Sequence, residues 1–183
     1  MNRHSFASLS AILIFAVGCR ASDNSIPEAT PQTFFGGPEN LQLVKEATSI
    51  TAFRIVDPQQ QHAPRKPMTI DGRQCDASSA VVAGPEVAQV VAALSDMTNF
   101  GDMYMCDFDP GVILRFAAGK HTLDLIVCFH CGEMVLYGDG VEIRRPYNWA
   151  RTRNSFRKDA RRAFTAIAKK AFPNDVEIQA LRQ

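Results

Sequence analysis

Hydrophobic and polar positions alternate through the middle of the chain, from about residue 111 to residue 145. Two runs, over residues 112–116 and 121–127, each place an apolar side chain at every second position. The Asp139–Gly140 pair further along is typical of a tight hairpin turn, and Gly132 suits the left-handed position of a three-residue loop. The pattern therefore predicts an antiparallel four-strand meander over about 111–145.

The turn between the first two predicted strands determines which side chains share a face. A two-residue turn at Ala118–Gly119 places residue 114 opposite residue 123 and residue 112 opposite residue 125, so that the larger apolar side chains lie on one face. The other face is also partly apolar, and we expect a helix over part of each face or an apolar patch left open for a partner. The apolar residues predicted for this second face are Ile113, Ile126, Met134, Leu136 and Ile143.

Helical spacing of apolar residues occurs on both sides of the meander. Residues 38–47 and 84–97 each have a proline near the start and apolar positions three or four residues apart, which predicts two short helices. A longer amphipathic helix is predicted over about 148–172. Residues 49–56 and 68–75 have the character of two further short strands.

Length and composition fit one folded domain. The chain has 183 residues, of which 46% are hydrophobic, too many for a disordered chain. A formal net charge of +1 argues against a protein whose whole surface binds nucleic acid. We therefore predict a single α+β domain over residues 38–183, in which helices pack in two layers with the four-strand meander and one or two extra strands.

The N-terminal segment has the pattern of an export signal. Arg3 supplies a positive charge, and an apolar run of about a dozen residues follows it, the length of a signal-peptide core and not of a bilayer span. The run ends in Ala16, Val17, Gly18 and Cys19. This segment resembles the lipobox of a bacterial lipoprotein precursor, with Gly18 and Cys19 matching and with Ala16 in place of the usual leucine.

The resemblance implies that residues 1–18 are a signal peptide and that Cys19 is acylated and anchors the protein in the bacterial cell envelope. Arg20 follows the cysteine, which favours the outer membrane, facing the periplasm, in an enterobacterial-type sorting system. Residues 19–37 are polar and interrupted by prolines, so a flexible tether is predicted there, with packing on the domain considered only for Phe34 and Phe35. The alternative is an ordinary signal peptide cut near Ala21, with a soluble product.

Four more cysteines, Cys75, Cys106, Cys128 and Cys131, follow Cys19. In an oxidising envelope an even set favours two disulfides, for which three pairings are possible. Because antiparallel neighbours bring the start of one strand beside the end of the next, Cys106, Cys128 and Cys131 are expected to meet at one edge of the sheet. Cys75, after an earlier strand, is the fourth candidate, and we predict two structural disulfides.

Two other chemistries fit the same region. Zinc could be held by Cys106, Cys128, His130 and Cys131, although only one half of the usual paired-cysteine pattern is present. The Cys128-x-x-Cys131 spacing is also that of thiol–disulfide oxidoreductases, but there the motif opens a helix, whereas a turn and strand are predicted here. We predict no cofactor, with zinc as the alternative.

Basic residues are concentrated in the predicted helix over 148–172, which contains eight Lys or Arg residues and a single acidic residue, Asp159. A solvated helix face is the simplest explanation. The functional alternative is a surface for anionic lipid headgroups or for an acidic protein. Nucleic acid is not an expected partner of an exported lipoprotein.

No catalytic residue is predicted, since the sequence contains no Gly-x-Ser-x-Gly, no His-Glu-x-x-His and no phosphate-binding glycine loop. His121, at a hairpin end opposite Phe116, is interpreted as structural. Our hypothesis is a lipid-anchored envelope protein of non-enzymatic binding or inhibitory type, stabilised by disulfides, that is attached to the membrane and has an envelope protein as partner. The alternative is a thiol–disulfide redox or zinc-binding protein that uses Cys128 and Cys131.

Overall fold

The computed structural model describes residues 30–56, 67–76, 78–101, 107–143 and 155–182. Within these ranges the chain forms eight strands and five α-helices, a mixed α+β fold as predicted. The strands are β1 (Ser49–Arg54), β2 (Pro67–Ile70), β3 (Arg73–Asp76), β4 (Ala80–Ala83), β5 (Val112–Ala118), β6 (His121–Cys128), β7 (Glu133–Gly138) and β8 (Val141–Glu142). The helices are α1 (Pro31–Phe34), α2 (Pro38–Lys45), α3 (Pro85–Ser95), α4 (Lys158–Ala171) and α5 (Val176–Ala180), with a 3₁₀ turn at Met97–Asn99.

Six of the strands form one antiparallel sheet in the order β4-β1-β5-β6-β7-β8. The predicted meander is confirmed as β5 to β8. Strands β1 and β4 extend the sheet beyond β5, and β2 and β3 form a separate two-stranded sheet. The described strands outside the meander therefore exceed the one or two that were predicted.

The register between β5 and β6 differs from the prediction by two positions. Leu114 lies opposite Leu125, and Ala118 pairs with His121, so the two-residue turn is Gly119–Lys120. Gly119 has φ of +62°, a conformation that glycine adopts more readily than alanine, which explains why the turn begins there. A shift of two positions keeps every side chain on its face, so the prediction that the larger apolar residues share one face is confirmed.

The loop between β6 and β7 has four residues instead of three, with Cys128 opposite Glu133 and Val127 opposite Met134. Gly132 takes the predicted left-handed conformation, with φ of +67°. Because of this register, Met134 and Leu136 point into the main core and not to the second face, where they were predicted. Ile143 also packs against the main core.

Helices cover one face of the large sheet. Val90 and Leu94 of α3 and Phe164 of α4 are fully buried against it. Helix α4 begins at Lys158, later than predicted, because Phe156 is in extended backbone that bridges to Phe100. The first part of the predicted helix, residues 148–154, lies outside the described residues.

The second face of the sheet is covered by the β2–β3 hairpin, and not by a helix or an open patch as expected. Ile70 and Cys75 of the hairpin pack on Ile113 and Ile126 of the large sheet. What was predicted as one strand over 68–75 is thus two strands. They are joined by an Asp-Gly turn with φ of +47° and +74°.

The folded domain begins earlier in the chain than predicted. Thr30 caps α1, and the aromatic rings of Phe34 and Phe35 are completely buried, with centroids 5.0 Å apart. The last part of the predicted tether over 19–37 is therefore packed on the domain. No helix in the described part of the chain has both the length and the apolar character needed to cross a membrane.

Candidate functional site

The predicted cysteine site is only partly brought together. Cys75 and Cys128 are buried free thiols, so the structure does not contain the two disulfides that were predicted for the four cysteines. Cys131 is not free. Cys19 and Cys106 lie outside the described residues.

Cys75 is separated from the predicted edge site by the way its strand packs. Strand β3 lies across the second face of the large sheet, so Cys75 is directed into the core there, with no exposed surface. Burial is the main reason why the pKa of the Cys75 thiol is raised to about 11. Cys75 is therefore a core residue and not a reactive thiol at neutral pH.

The loop after β6, residues 128–132, holds the other two described cysteines, and we call it the cysteine loop. The backbone N–H of Cys131 donates to Sγ of Cys128 at 3.3 Å, and the N–H of Gly132 donates to the carbonyl of Cys128 at 3.0 Å. Sγ of Cys131 lies 2.9 Å from the carbonyl oxygen of Asp107. Cys128 is 0% exposed and Cys131 is 2% exposed, whereas His130 at the tip of the loop is exposed.

Helix α4 holds the cysteine loop in place through Arg161. Its guanidinium donates to the carbonyl of Phe129 and lies 5.4 Å from the ring centroid of Phe156. A Cβ atom on Gly132 would lie 2.5 Å from Nη2 of Arg161, so a side chain at position 132 would displace this guanidinium from its present place. Phe156 in turn donates its N–H to the carbonyl of Gly132 at 2.7 Å.

Other cations of the predicted basic surface are also used inside the fold. Lys170 pairs with Glu86 at 2.5 Å and donates to the carbonyl of Ala83 at 3.2 Å, which ties α4 to α3 and β4. Arg157 donates to the carbonyl of Thr98 at 3.2 Å. The exposed basic face within the described part of α4 is thus narrower than the sequence suggested.

A cleft of about 490 Å³ opens beside the cysteine loop. Its walls come from the end of β1, the β2–β3 hairpin, the segment before β5 and helix α5. Arg73, Asp109 and His130 contribute polar side chains, and the partly exposed Ile55, Val56 and Leu181 contribute apolar surface. The guanidinium of Arg73 also lies 5.7 Å from the ring centroid of Phe108.

Arg54 at the end of β1 closes one side of the cleft through a network of contacts. It donates to Asp175 at 2.8 Å and to the carbonyl of Gly111 at 2.9 Å, and it also pairs with Glu177. Burial tends to raise the pKa of Asp175. Hydrogen bonds from the Ile178 N–H and from Arg54 outweigh this effect, so the pKa of Asp175 is below its ordinary value. This network fixes α5 against the sheet and leaves Arg54 paired.

A buried polar cluster lies under the β2–β3 hairpin. Arg115 donates to both carboxylate oxygens of Asp124, with Nε to Oδ1 at 2.7 Å and Nη2 to Oδ2 at 2.6 Å, and it lies over the ring of Phe53. Burial, followed by a hydrogen bond and the negative charge of Asp124, raises the pKa of Asp71 to about 6. The cluster joins the hairpin to the sheet through polar groups as well as apolar contacts.

The zinc alternative named Cys106, Cys128, His130 and Cys131. Of these, the structure places Cys128 and Cys131 together and His130 on the surface of the same loop, while Cys106 lies outside the described residues. Among the described residues, no three or more His, Cys, Asp and Glu side chains are arranged to hold a metal ion.

Sequence reasoning missed Arg54, Asp71 and the Arg115–Asp124 pair. A signal for the pair was present, since two opposite charges occur in otherwise apolar strands, but the predicted register placed residue 115 opposite 122. The sequence carried no comparable signal for Arg54, because its partners Asp175 and Glu177 are far away in the chain. Comparison of this chain with protein-family models, with curated proteins and with solved structures found no match.

Proposed function

We propose that this chain is a lipid-anchored bacterial envelope protein whose folded domain binds another envelope protein without catalysing a reaction. Cys19, with its acyl chains, is the anchor in this proposal. The observation that carries the binding role is the cleft beside the cysteine loop. Arg73 and His130 line it and have no hydrogen-bond or ion-pair partner among the described residues.

The lining of the cleft suits a segment of a partner protein. Apolar contact is available at the partly exposed side chains of Ile55, Val56 and Leu181. Arg73 and His130 lie in the same lining. Recognition sites typically combine such an apolar wall with a few polar groups that fix orientation. The rigid support of the cleft by Arg54 favours binding without a large loss of conformational freedom.

The burial of the sulfur atoms favours binding over thiol chemistry. Cys128 and Cys131 are 0% and 2% exposed, whereas a reactive cysteine needs an accessible thiolate. The motif lies at the end of β6 and in the turn after it, not at the start of a helix, where a thiolate is stabilised.

One disulfide, between Cys106 and Cys131, is part of this proposal and replaces the two predicted ones. It is supported by the 2.9 Å contact between Sγ of Cys131 and the carbonyl of Asp107, the residue that directly follows Cys106. It is also supported by the two free thiols elsewhere, since Cys131 itself is not free. A disulfide that closes the loop from residue 106 to residue 131 adds about 3 kcal/mol to the free energy of unfolding, and it persists in an oxidising envelope.

A second candidate function is thiol–disulfide exchange, and one contact favours it. The N–H of Cys131 donates to Sγ of Cys128, so a free thiol lies directly beside a cysteine that is not free. In such an exchange the Cys128 thiolate would attack Sγ of Cys131, the Cys106–Cys131 bond would break, a Cys128–Cys131 bond would form, and Cys106 would leave as the thiolate. Reversible reduction near the redox potential of the envelope would favour this function, and release of stoichiometric zinc by a chelator, with loss of the fold, would favour the zinc alternative.

The anchor is tested by metabolic labelling with palmitate. We expect the full-length protein to incorporate the label and to fractionate with outer membranes, and the Cys19→Ala variant to lose both properties. Labelling that survives in Cys19→Ala would contradict the anchor but not the binding role of the cleft.

The binding role is tested by a photocrosslinking amino acid placed at position 130 in cells that produce the protein. We expect a discrete protein adduct that disappears when Arg73→Glu is added. Position 45, where exposed Lys45 lies on α2, provides the matched control and should give no such adduct. Identical adducts at both positions, or none at position 130, would overturn the proposed binding site.

A further inference from the structure

A second cavity, of about 370 Å³, lies where α2, the start of β6 and the β7–β8 turn meet. Three carboxylates line it, from Glu39, Asp139 and Glu142, and its lining includes no Lys or Arg. The side chain of Val141, which is 70% exposed, forms an apolar part of the wall. The cavity is separate from the cysteine loop and from the cleft beside it.

His121 contributes a hydrogen-bond acceptor to this cavity. Its Nδ1 lies 2.8 Å from Oδ2 of Asp139, and the backbone N–H of Thr122 donates to the other carboxylate oxygen at 2.7 Å. That N–H, together with His121, lowers the pKa of Asp139, which is therefore a carboxylate that only accepts. In the neutral ring the proton is consequently on Nδ1 and Nε2 is an acceptor, and Nε2 is buried without a partner among the described residues.

Asn40 contributes a second unpartnered acceptor. The side chain is 5% exposed, and its Nδ2 donates to the carbonyl of Phe35 at 2.8 Å, which determines the orientation of the amide. Oδ1 is then left buried with no partner in the described part of the chain. Asn40 and Gly138 are neighbours in the cavity lining, and a Cβ atom on Gly138 would lie 3.2 Å from Nδ2 and 3.6 Å from Oδ1 of Asn40. A buried acceptor without a donor is unfavourable, which points to a ligand that supplies one.

The charges and the acceptors together indicate the chemistry of that ligand. With His121 neutral, both unpartnered atoms accept hydrogen bonds, and the three carboxylates in the lining are negatively charged. A ligand that donates hydrogen bonds and carries a positive charge complements both features. An ammonium group has three donors and one charge, and the surface of Val141 suits an alkyl stem. We propose that this cavity binds a primary alkylammonium group, whose nitrogen donates to Asn40 and His121.

The same chemistry has two sources, a free diamine and a lysine side chain of a partner protein. Both are tested by calorimetry on the purified full-length protein, with 1,5-diaminopentane for the first and N-acetyl-lysine methylamide for the second. Glutarate, a dianion of similar length, is the control ligand. We expect at least one of the two amines to bind with a Kd of about 1 mM or lower, and glutarate not to bind.

Two variants locate the binding. Gly138→Ala fills the space beside Asn40 and is expected to weaken amine binding about tenfold or more. Glu142→Gln removes one exposed charge and should weaken amine binding by up to about fivefold, more at low salt than at high salt. Asp159→Asn, which removes an exposed carboxylate on α4, is the matched control and should leave binding unchanged.

The outcomes distinguish a free diamine from a partner's lysine side chain as the ligand, and they show whether the proposal fails. Binding of the diamine supports a free amine as ligand, and binding of the lysine derivative alone supports a partner's side chain. The proposal is overturned if neither amine binds, if glutarate binds equally well, or if Glu142→Gln and Asp159→Asn have the same effect. Glu142→Gln keeps the test decisive if Gly138→Ala does not fold.

Discussion

Arg115 and Asp124 face each other across β5 and β6, and the guanidinium donates to both carboxylate oxygens at 2.7 and 2.6 Å. Asp124 is 1% exposed, so its charge depends on this one partner for compensation within the described residues. The pair lies under the β2–β3 hairpin, next to Asp71. It is therefore the polar centre of the second face.

Removal of the Arg115 guanidinium from this pair should destabilise the folded state. Arg115→Leu leaves the carboxylate of Asp124 buried and unpaired, and we expect the free energy of unfolding to fall by about 2–4 kcal/mol in urea denaturation. Arg162→Leu breaks an exposed pair with Asp159 on α4 and is the control, with a change within about 0.5 kcal/mol. Equal effects of the two variants would contradict a structural role of the buried pair.

Asp71 should make stability depend on pH. Its pKa of about 6 in the folded state is above the ordinary value of 3.8, chiefly because of burial and then because of Asp124. Between about pH 4 and pH 6 the folded state therefore keeps this proton, whereas the unfolded state has lost it. The resulting stabilisation is fully present below about pH 4 and is lost as the pH rises through about 6.

The Asp71→Asn variant isolates this contribution. Asparagine tolerates the left-handed backbone of this turn, so the substitution removes the charge without adding strain. We compare the free energies of unfolding of the variant and the natural protein at pH 4.5 and at pH 8. The difference between them should shift in favour of the variant by about 1 kcal/mol at the higher pH, a modest value because solvent screens a partly exposed carboxyl. A pH-independent difference between the two proteins in urea denaturation would show that Asp71 does not titrate in this way.

Thiol titration should count two free cysteines. Cys75 and Cys128 are buried, and the raised pKa of Cys75 also makes its thiolate rare at neutral pH. With Cys19 acylated, as proposed, the folded protein should therefore react slowly with Ellman's reagent. In urea we expect two thiols to react, and four after reduction. None in urea would restore the two-disulfide prediction, and four without reduction would exclude the proposed bond of Cys131.

Gly132 should be intolerant of a side chain for two separable reasons. Gly132→Ala imposes a left-handed conformation on alanine, which costs about 1–2 kcal/mol, and places Cβ 2.5 Å from Arg161. Gly119→Ala is the matched control, since its φ of +62° is similar and nothing lies within 4 Å. We expect Gly132→Ala to be the more destabilising in thermal unfolding, and the excess should disappear in an Arg161→Ala background.

The meander was predictable because its signals are local. The alternation along β5 and β6 and the Asp139–Gly140 turn depend only on neighbouring residues. The register error of two positions arose from the placement of one turn, at Ala118–Gly119 instead of Gly119–Lys120. It left the apolar faces intact but concealed the match between Arg115 and Asp124.

The candidate site was less predictable, because it depends on the direction in which elements pack. The sequence correctly placed Cys128 and Cys131 where a strand meets a turn. The position of Cys75 depends on how β3 lies over the sheet, and nothing near it in the chain indicates that direction. The acidic cavity could not be predicted for the same reason, since Asn40 and His121 come from segments that are distant in the chain and meet only through packing.

By itself, the amino-acid sequence determined the alternating strands, the apolar stripe of α4 and the glycines at the left-handed turns, because each depends on contacts between residues close in the chain. Only the tertiary structure decided that the β2–β3 hairpin folds over the second face. That choice depends on the burial of Ile70 against Ile113 and Ile126. The free energy gained when distant apolar surfaces leave water has no counterpart in any local pattern.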